Sequence, residues 1–269
     1  MTKLLGVIGD PISHSLSPLI HNGWLRDLGI NATYEAMQVA DGELSTALAT
    51  LAKRDVLGVN VTLPHKTAAL NAAAIKSDRA IKIGAANTLT YTKGDWAAEN
   101  TATPGFLEAL GAIDSYTDKV VLLGAGGSAR ALVYALSERG VDTVILNRTR
   151  SKAQDLAEML GSKSTVHGPI NQYKEYIDQA TIVINTTSMG YSGDIFELPD
   201  GQGRLFFDIS YGKISAPQLD HAADKGWETR DGLTMLVAQA AFSFEIWFET
   251  LPDIERALRR CRLALEAAT

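Results

Sequence analysis

Cysteine is nearly absent. The single Cys261 cannot form an intrachain disulfide, and it excludes a zinc site of clustered cysteines. Long apolar runs are missing too. Val120 to Leu123 and Leu236 to Phe242 are short or broken, well under the roughly eighteen residues that a membrane-spanning helix needs. There is no basic run: 25 Lys and Arg face 31 Asp and Glu, a net charge of −6, which argues against nucleic acid as the main partner. No repeat or low-complexity segment stands out, and a content of 46% apolar and 21% charged residues excludes collagen, coiled coil and disorder. The five histidines (His14, His21, His65, His167 and His221) show no metal-ligand spacing, so no metal is expected. The N-terminal segment reaches Asp10 too early for a secretory signal and reads as a buried strand. A cytoplasmic protein without membrane attachment is the default expectation.

What remains is an α/β pattern. At roughly 150 residues per domain, 269 residues suggest two domains. Lys3 to Ile8, Thr33 to Val39 and Val56 to Leu63 read as strands. Ser17-Pro18 opens a helix, with Ser as cap, and Glu43 to Lys53 forms another. This alternation predicts a mostly parallel sheet. Thr88 to Tyr91 is a further short strand. Near residue 102 the pattern restarts, with a helix at Phe106 to Leu110 and strands at Val120 to Leu123, Thr143 to Leu146, Ile182 to Asn185 and Leu205 to Ile209. Helices at Arg130 to Arg139, Leu233 to Phe248 and Pro252 to Ala267 complete the outline.

The turn after the strand ending at Leu123 reads Gly124-Ala125-Gly126-Gly127-Ser128-Ala129. Gly124-x-Gly126-x-x-Ala129 fits the dinucleotide fingerprint: a tight turn, a close approach to pyrophosphate, and a small residue packing helix on strand. Free N–H groups at the helix start favour the phosphates. An ordinary glycine-rich turn could look the same, but the flanking strand, helix and second strand favour a nucleotide. After that second strand the chain reads Asn147-Arg148-Thr149-Arg150-Ser151-Lys152, without an acid to hold a ribose 2′-hydroxyl. The planar fork of Arg148 suits adenine and a 2′-phosphate, and Arg150 or Lys152 offers a second charge. NADP is therefore favoured over NAD.

Four other segments hold more small polar residues than turns require. They are Ser13-His14-Ser15-Leu16-Ser17-Pro18, Asn60-Val61-Thr62-Leu63-Pro64-His65-Lys66, Gly84-Ala85-Ala86-Asn87-Thr88 and Asn100-Thr101. Two of them follow strands, where open α/β sheets bind ligands. Any one of these hydroxyls is better explained as a cap or turn residue. As a set they point to a hydroxylated or carboxylated substrate, with Lys66 as a cation or acid/base.

These motifs, with Asn147-Arg148-Thr149 and Asp231-Gly232-Leu233-Thr234-Met235-Leu236-Val237-Ala238-Gln239-Ala240-Ala241, resemble the shikimate dehydrogenase family over nearly the whole chain. The resemblance implies an α/β protein with a substrate domain at 1–101 plus 234–269 and a Rossmann-type NADP domain at 102–233, with an open cleft between them. It implies NADP-linked interconversion of 3-dehydroshikimate and shikimate, in aromatic amino acid biosynthesis, by a monomer or homodimer. Ser15 and Ser17 would hold the substrate carboxylate. Thr62, Asn87 and Gln239 would bind ring hydroxyls with Asn60 nearby, Lys66 would sit at the reacting oxygen, and Tyr211 would approach from the second domain. Gly124 to Ala129, Asn147, Arg148, Thr149 and Lys152 would bind NADP.

One position departs seriously. The family has Asn-Thr-Asp-x-x-Gly where this chain reads Asn100-Thr101-Ala102-Thr103-Pro104-Gly105. A carboxylate there would hold the ammonium of Lys66 and favour its charged form, and a methyl group does neither. Glu99 is the nearest acid in sequence, with nothing to direct it at Lys66. Three readings compete: a knockout of an ordinary shikimate dehydrogenase, a natural paralogue with another substrate or proton route, and a non-catalytic protein that binds NADP or shikimate. The first is preferred because the other motifs are intact. A smaller departure is Tyr211-Gly212-Lys213, where the family commonly has a proline. His65 is expected to be a structural hydrogen-bonder, Trp227, Trp247 and Phe248 to serve packing, and Cys261 to be inert.

Overall fold

A computed structural model describes residues 2–162 and 165–267. The chain divides into two compact units, Met1–Gly105 with Leu236–Thr269, and Phe106–Met235.

The first unit begins with β1 (Lys3–Gly9), α1 (Ser17–Asp27), β2 (Ala32–Gln38), α2 (Leu44–Leu51) and β3 (Val56–Val61). It continues with α3 (Lys66–Ala72), β4 (Ile75–Lys76), α4 (Asp78–Ile83), β5 (Thr88–Thr92) and β6 (Asp95–Glu99). The strands form one six-stranded sheet in the order β2-β1-β3-β5-β6-β4. β1 runs parallel to β2 and β3, but β5 is antiparallel to both β3 and β6. β6 and β4 run with β3 again, so the sheet is mostly parallel as expected, with β5 the one strand that opposes the rest. Lys93 and Gly94 cause this: φ of 52° and 90° at the two loop positions closes a tight hairpin between β5 and β6.

Leu44, Leu48 and Leu51 recur at helical spacing on α2 and bury one face against Ile8, Val59 and Val61. Ser17 does not cap α1. Leu16 holds the cap position without a side-chain bond, and Ser17 and Pro18 form the first turn. The fixed φ of proline suits that place, and the Ser17 side chain is buried.

α5 (Ala102–Leu110) carries the chain into the second unit. There follow β7 (Lys119–Leu123), α6 (Gly127–Glu138), β8 (Asp142–Asn147), α7 (Arg150–Leu160), β9 (Val166–Pro169), α8 (Tyr173–Ile177), β10 (Ile182–Asn185), β11 (Leu205–Asp208), α9 (Ala216–Asp224) and β12 (Glu228–Arg230). This sheet has the order β12-β11-β10-β7-β8-β9, and its strand pairs are parallel. The inner strands are apolar on both faces, as a sheet covered on both sides requires. This is the doubly wound order, with its switch point between β7 and β10.

α10 (Leu233–Phe248) leads back to the first unit, and α11 (Ile254–Ala267) packs there against α1. Trp24 Nε1 donates to the Asp253 carbonyl at 2.9 Å. Arg260 and Arg256 pair with Asp27 at 3.0 and 3.2 Å.

Candidate functional site

In the first sheet the strand order reverses between β1 and β3, so ligands are expected beyond the carboxyl ends of those strands. Ser13 to Ser17 follow β1, and Thr62 to Lys66 follow β3. The antiparallel turn of β5 brings its start to the same edge: Thr88 stands opposite Asn60 on one side and Glu99 on the other. Asn100 and Thr101 leave β6 at that edge. The four polar segments thus meet for a topological reason.

Asn87 ties several of them together. Its Oδ1 accepts from the Thr101 backbone N–H at 2.8 Å, and its Nδ2 donates to Gln239 Oε1 at 3.1 Å. Asn60 Nδ2 donates to the Asn87 carbonyl at 3.2 Å and to Ser243 Oγ at 2.9 Å. Ser15 Oγ accepts from the Ser17 N–H at 3.2 Å, which leaves the Ser15 proton for another partner. Among the described residues, the Thr62 hydroxyl, Gln239 Nε2 and Lys66 Nζ make no hydrogen bond or ion pair. Donors without partners at the edge of a polar network are what a hydroxylated ligand needs.

Lys66 begins α3 and is half-buried. Burial alone pulls its pKa down to about 8, with no carboxylate opposing the shift. Glu99 does not fill that role. Its Oε1 accepts from Ser77 Oγ at 2.8 Å and from the Asn100 N–H at 2.7 Å. Ala102 is buried at the first position of α5, and its N–H donates to Asn100 Oδ1 at 3.1 Å. His65 is structural, its Nε2 lying 2.7 Å from the Val39 carbonyl.

The second unit carries the glycine turn. Gly124 has φ of +108°, and a Cβ there would collide with Thr186 Oγ1, so only glycine fits. Gly126 and Gly127 face open space. α6 starts at Gly127 without a side-chain cap, which leaves first-turn N–H groups for an anion. Ala129 is fully buried where helix meets strand. Ser128 lies half-exposed in the first turn. The Ala125 N–H donates to Asn147 Oδ1 at 3.1 Å, while Asn147 Nδ2 donates to the Thr149 carbonyl at 2.9 Å. Asn147 thereby joins the glycine turn to the loop after β8. On that loop Arg148 and Thr149 are exposed, as are Arg150 and Lys152 in the first turn of α7 that follows. Open space, free N–H groups and exposed cations fit a dinucleotide bearing an extra phosphate. Tyr211 also belongs to this unit, half-exposed before a 3-10 turn at Gly212–Ile214.

Sequence reasoning missed Tyr34 and Ser243, both part of the first unit's network. A signal existed for Ser243: it stands one helical turn beyond Gln239, on the same face of α10. Tyr34 offered none beyond being aromatic in a strand.

Comparison with known proteins agrees with this arrangement. Residues 7–89 match the shikimate dehydrogenase substrate binding domain, residues 108–213 the shikimate / quinate 5-dehydrogenase family, and residues 232–262 the shikimate 5'-dehydrogenase C-terminal domain. A shikimate dehydrogenase (NADP(+)) of Hyphomonas neptunium is 47% identical, with all of both chains covered. One from Jannaschia is 40% identical over 97% of each chain. The shikimate dehydrogenase structure from Aquifex aeolicus superposes with a TM-score of 0.89 at 34% identity, covering 97% of this chain and 98% of that one. The shikimate 5-dehydrogenase of Thermus thermophilus, in complex with NADP(H) and shikimate, gives 0.86 at 34% identity, covering 98% and 100%. With family models matching most of its length and close relatives spanning all of it, the chain belongs to the shikimate dehydrogenase family.

Proposed function

We propose that this chain interconverts 3-dehydroshikimate and shikimate with NADP(H), in the cytoplasm, as a step of aromatic amino acid biosynthesis. The first unit binds substrate and the second binds the dinucleotide. The observation that carries the reading is the pairing of two chemistries in one chain of this family. One is a sheet edge of donors without partners, and the other is a glycine turn followed by a basic loop.

Ser15 and Ser17 hold the substrate carboxylate. Thr62, Asn60, Asn87 and Gln239 address the ring hydroxyls, and Tyr211 contributes from the second unit. Lys66 stands at the reacting oxygen and gives a proton to it on reduction or takes one on oxidation. NADPH, when bound, supplies the hydride. The N–H groups of Gly126 to Ala129 receive the pyrophosphate, and Asn147 fixes the loop that presents Arg148, Thr149 and Lys152 to the adenosine phosphate.

Ala102 sets the rate. Without a carboxylate, Lys66 works alone and proton transfer is impaired, while the binding groups remain. The chain therefore reads as a weakened enzyme of the ordinary type. Steady-state assay with shikimate and NADP⁺, beside Arg148→Ala, tests the assignment. Slow but real turnover, with Arg148→Ala weakening NADP⁺ about tenfold or more and NAD⁺ little, is expected. Equal losses for both cofactors would sink the role of Arg148. A complete absence of turnover even with Ala102→Asp would favour a non-catalytic binding protein.

A further inference from the structure

We infer that Tyr34 and Ser243 are positioning residues that fix which way the Asn60 amide faces, and so decide what Asn60 can offer to substrate. This rests on the reading of the first unit as a shikimate site.

Hydrogen-bond polarity carries the inference. Asn60 Nδ2 lies 3.2 Å from the Asn87 carbonyl, which can only accept, so the nitrogen end of the amide must face it. The same nitrogen reaches Thr88 Oγ1 at 3.2 Å and Ser243 Oγ at 2.9 Å. Both Asn60 N–H groups are thus used inside the chain. The oxygen end faces Tyr34, whose hydroxyl lies 2.7 Å from Oδ1 and must donate. The order of protons runs from Tyr34 to Asn60 to the Asn87 carbonyl. Among the described residues Tyr34 is the group that donates to Asn60 Oδ1, and the buried His21 Nε2 makes no hydrogen bond, so Oδ1 keeps an acceptor site for a ring hydroxyl.

The surroundings keep Tyr34 in place. It is 2% exposed and stacks on His21, with ring centroids 4.1 Å apart and planes 4° from parallel. At the far end, Ser243 Oγ lies 2.8 Å from Thr88 Oγ1 and 3.1 Å from Thr101 Oγ1, and it donates to the Gln239 carbonyl at 3.0 Å. Neither Tyr34 nor Ser243 has a proposed substrate contact. Each acts through Asn60.

The test is shikimate binding by titration calorimetry on the intact chain, which needs no turnover. The variants are Tyr34→Phe, Ser243→Ala, Asn60→Ala and the double variant Tyr34→Phe/Asn60→Ala. Tyr34→Phe removes one hydroxyl and keeps the ring stack. It is expected to weaken shikimate about tenfold, the size of one hydrogen-bonded contact, with NADP⁺ affinity unchanged. Ser243→Ala should weaken it several-fold by the same route. In the Asn60→Ala background Tyr34→Phe should add no further loss, because its target is gone. Multiplying losses in the double variant would overturn the positioning role, and so would unchanged shikimate affinity in both single variants. A parallel fall in NADP⁺ affinity would mark general damage and overturn it too. If the unaltered chain binds no shikimate, the substrate reading of the first unit fails, and the inference with it.

Discussion

At residue 102 this chain has a methyl group where the resemblance to its family implies a carboxylate. On the proposed reading, a carboxylate missing near the half-buried Lys66 has two consequences. The first is kinetic: general acid–base help is typically worth about 10²–10⁴-fold, so Ala102→Asp should raise kcat by about that much. It should change NADP⁺ affinity little, since the proposed dinucleotide groups lie in the other unit. An Asp variant no faster than the present chain would show that Lys66 needs no acid at 102, and the paralogue reading would replace the weakened-enzyme one. The second consequence is a pH profile. Lys66 titrates at about 8 because burial disfavours its charged form. Shikimate oxidation needs it neutral, so the rate of the present chain should climb as pH rises through about 8. A new carboxylate favours the ammonium, so in Ala102→Asp that limb should move to higher pH. Rate–pH profiles of the two forms decide this, and coincident limbs would mean that the two side chains do not interact. His21 gives an independent acid limb. Burial lowers its pKa from 6.5 to about 3, so the folded chain keeps it neutral while the unfolded chain takes up a proton. Stability is then fully present above about 6.5 and falls as pH drops from there towards 3. His21→Phe keeps a flat ring over Tyr34 and removes the titration. Its urea midpoint should fall less between pH 7 and pH 4 than that of the parent chain, and equal falls would place the acid sensitivity elsewhere.

Elements were legible where their local rule was strong. The buried strand β7 followed by a glycine turn could be read directly, because apolar strand, turn and helix come in immediate succession. The β5–β6 hairpin escaped because Lys93-Gly94 is an uncommon choice for a turn that needs two positive φ values. Missing it hid why Thr88 and Thr101 come to the edge where Asn60 stands. The Ser17 cap failed for a related reason: a serine before proline fits the local rule, but Leu16 holds the cap position and the Ser17 side chain is buried in the fold. Burial of that kind has no local signal. The glycine turn supports a prediction at this scale, because its glycines do different work. Gly124→Ala forces a Cβ onto Thr186 at a φ of +108°, so it should lower the thermal midpoint as well as NADP⁺ affinity. Gly126→Val projects into open space at the start of α6. It should leave the midpoint nearly unchanged and abolish NADP⁺ binding by filling the room for pyrophosphate. Thermal melts and cofactor titrations of the two variants separate these effects, and a Gly126→Val protein that binds NADP⁺ normally would move the phosphate site elsewhere.

Over the whole molecule, each unit has its own sheet and its own core. One core gathers Ile8, Val59, Leu89 and Leu48, and the other Val121, Val183, Phe206 and Trp227. The proposed ligands divide the same way, with every first-unit substrate group on one sheet edge and every dinucleotide group in the other unit. The chain also crosses between units twice, within α5 and within α10. α10 bears Gln239 and Ser243, so it is at once a connector and part of the polar network around Asn60 and Asn87. A ligand that binds only the folded state stabilises by about 2.7 kcal/mol at a hundred times its Kd, and the effect falls first on the unit that holds it. Hydrogen exchange should therefore resolve the two. Saturating NADP⁺ alone should slow exchange mainly at the glycine turn, the start of α6 and the loop after β8. Shikimate alone should slow it at the ends of β1 and β3, at 85–88, and in the part of α10 around Gln239. Reversed patterns would exchange the roles assigned to the two units. Protection by shikimate confined to the second unit would remove the substrate site from the first sheet edge altogether.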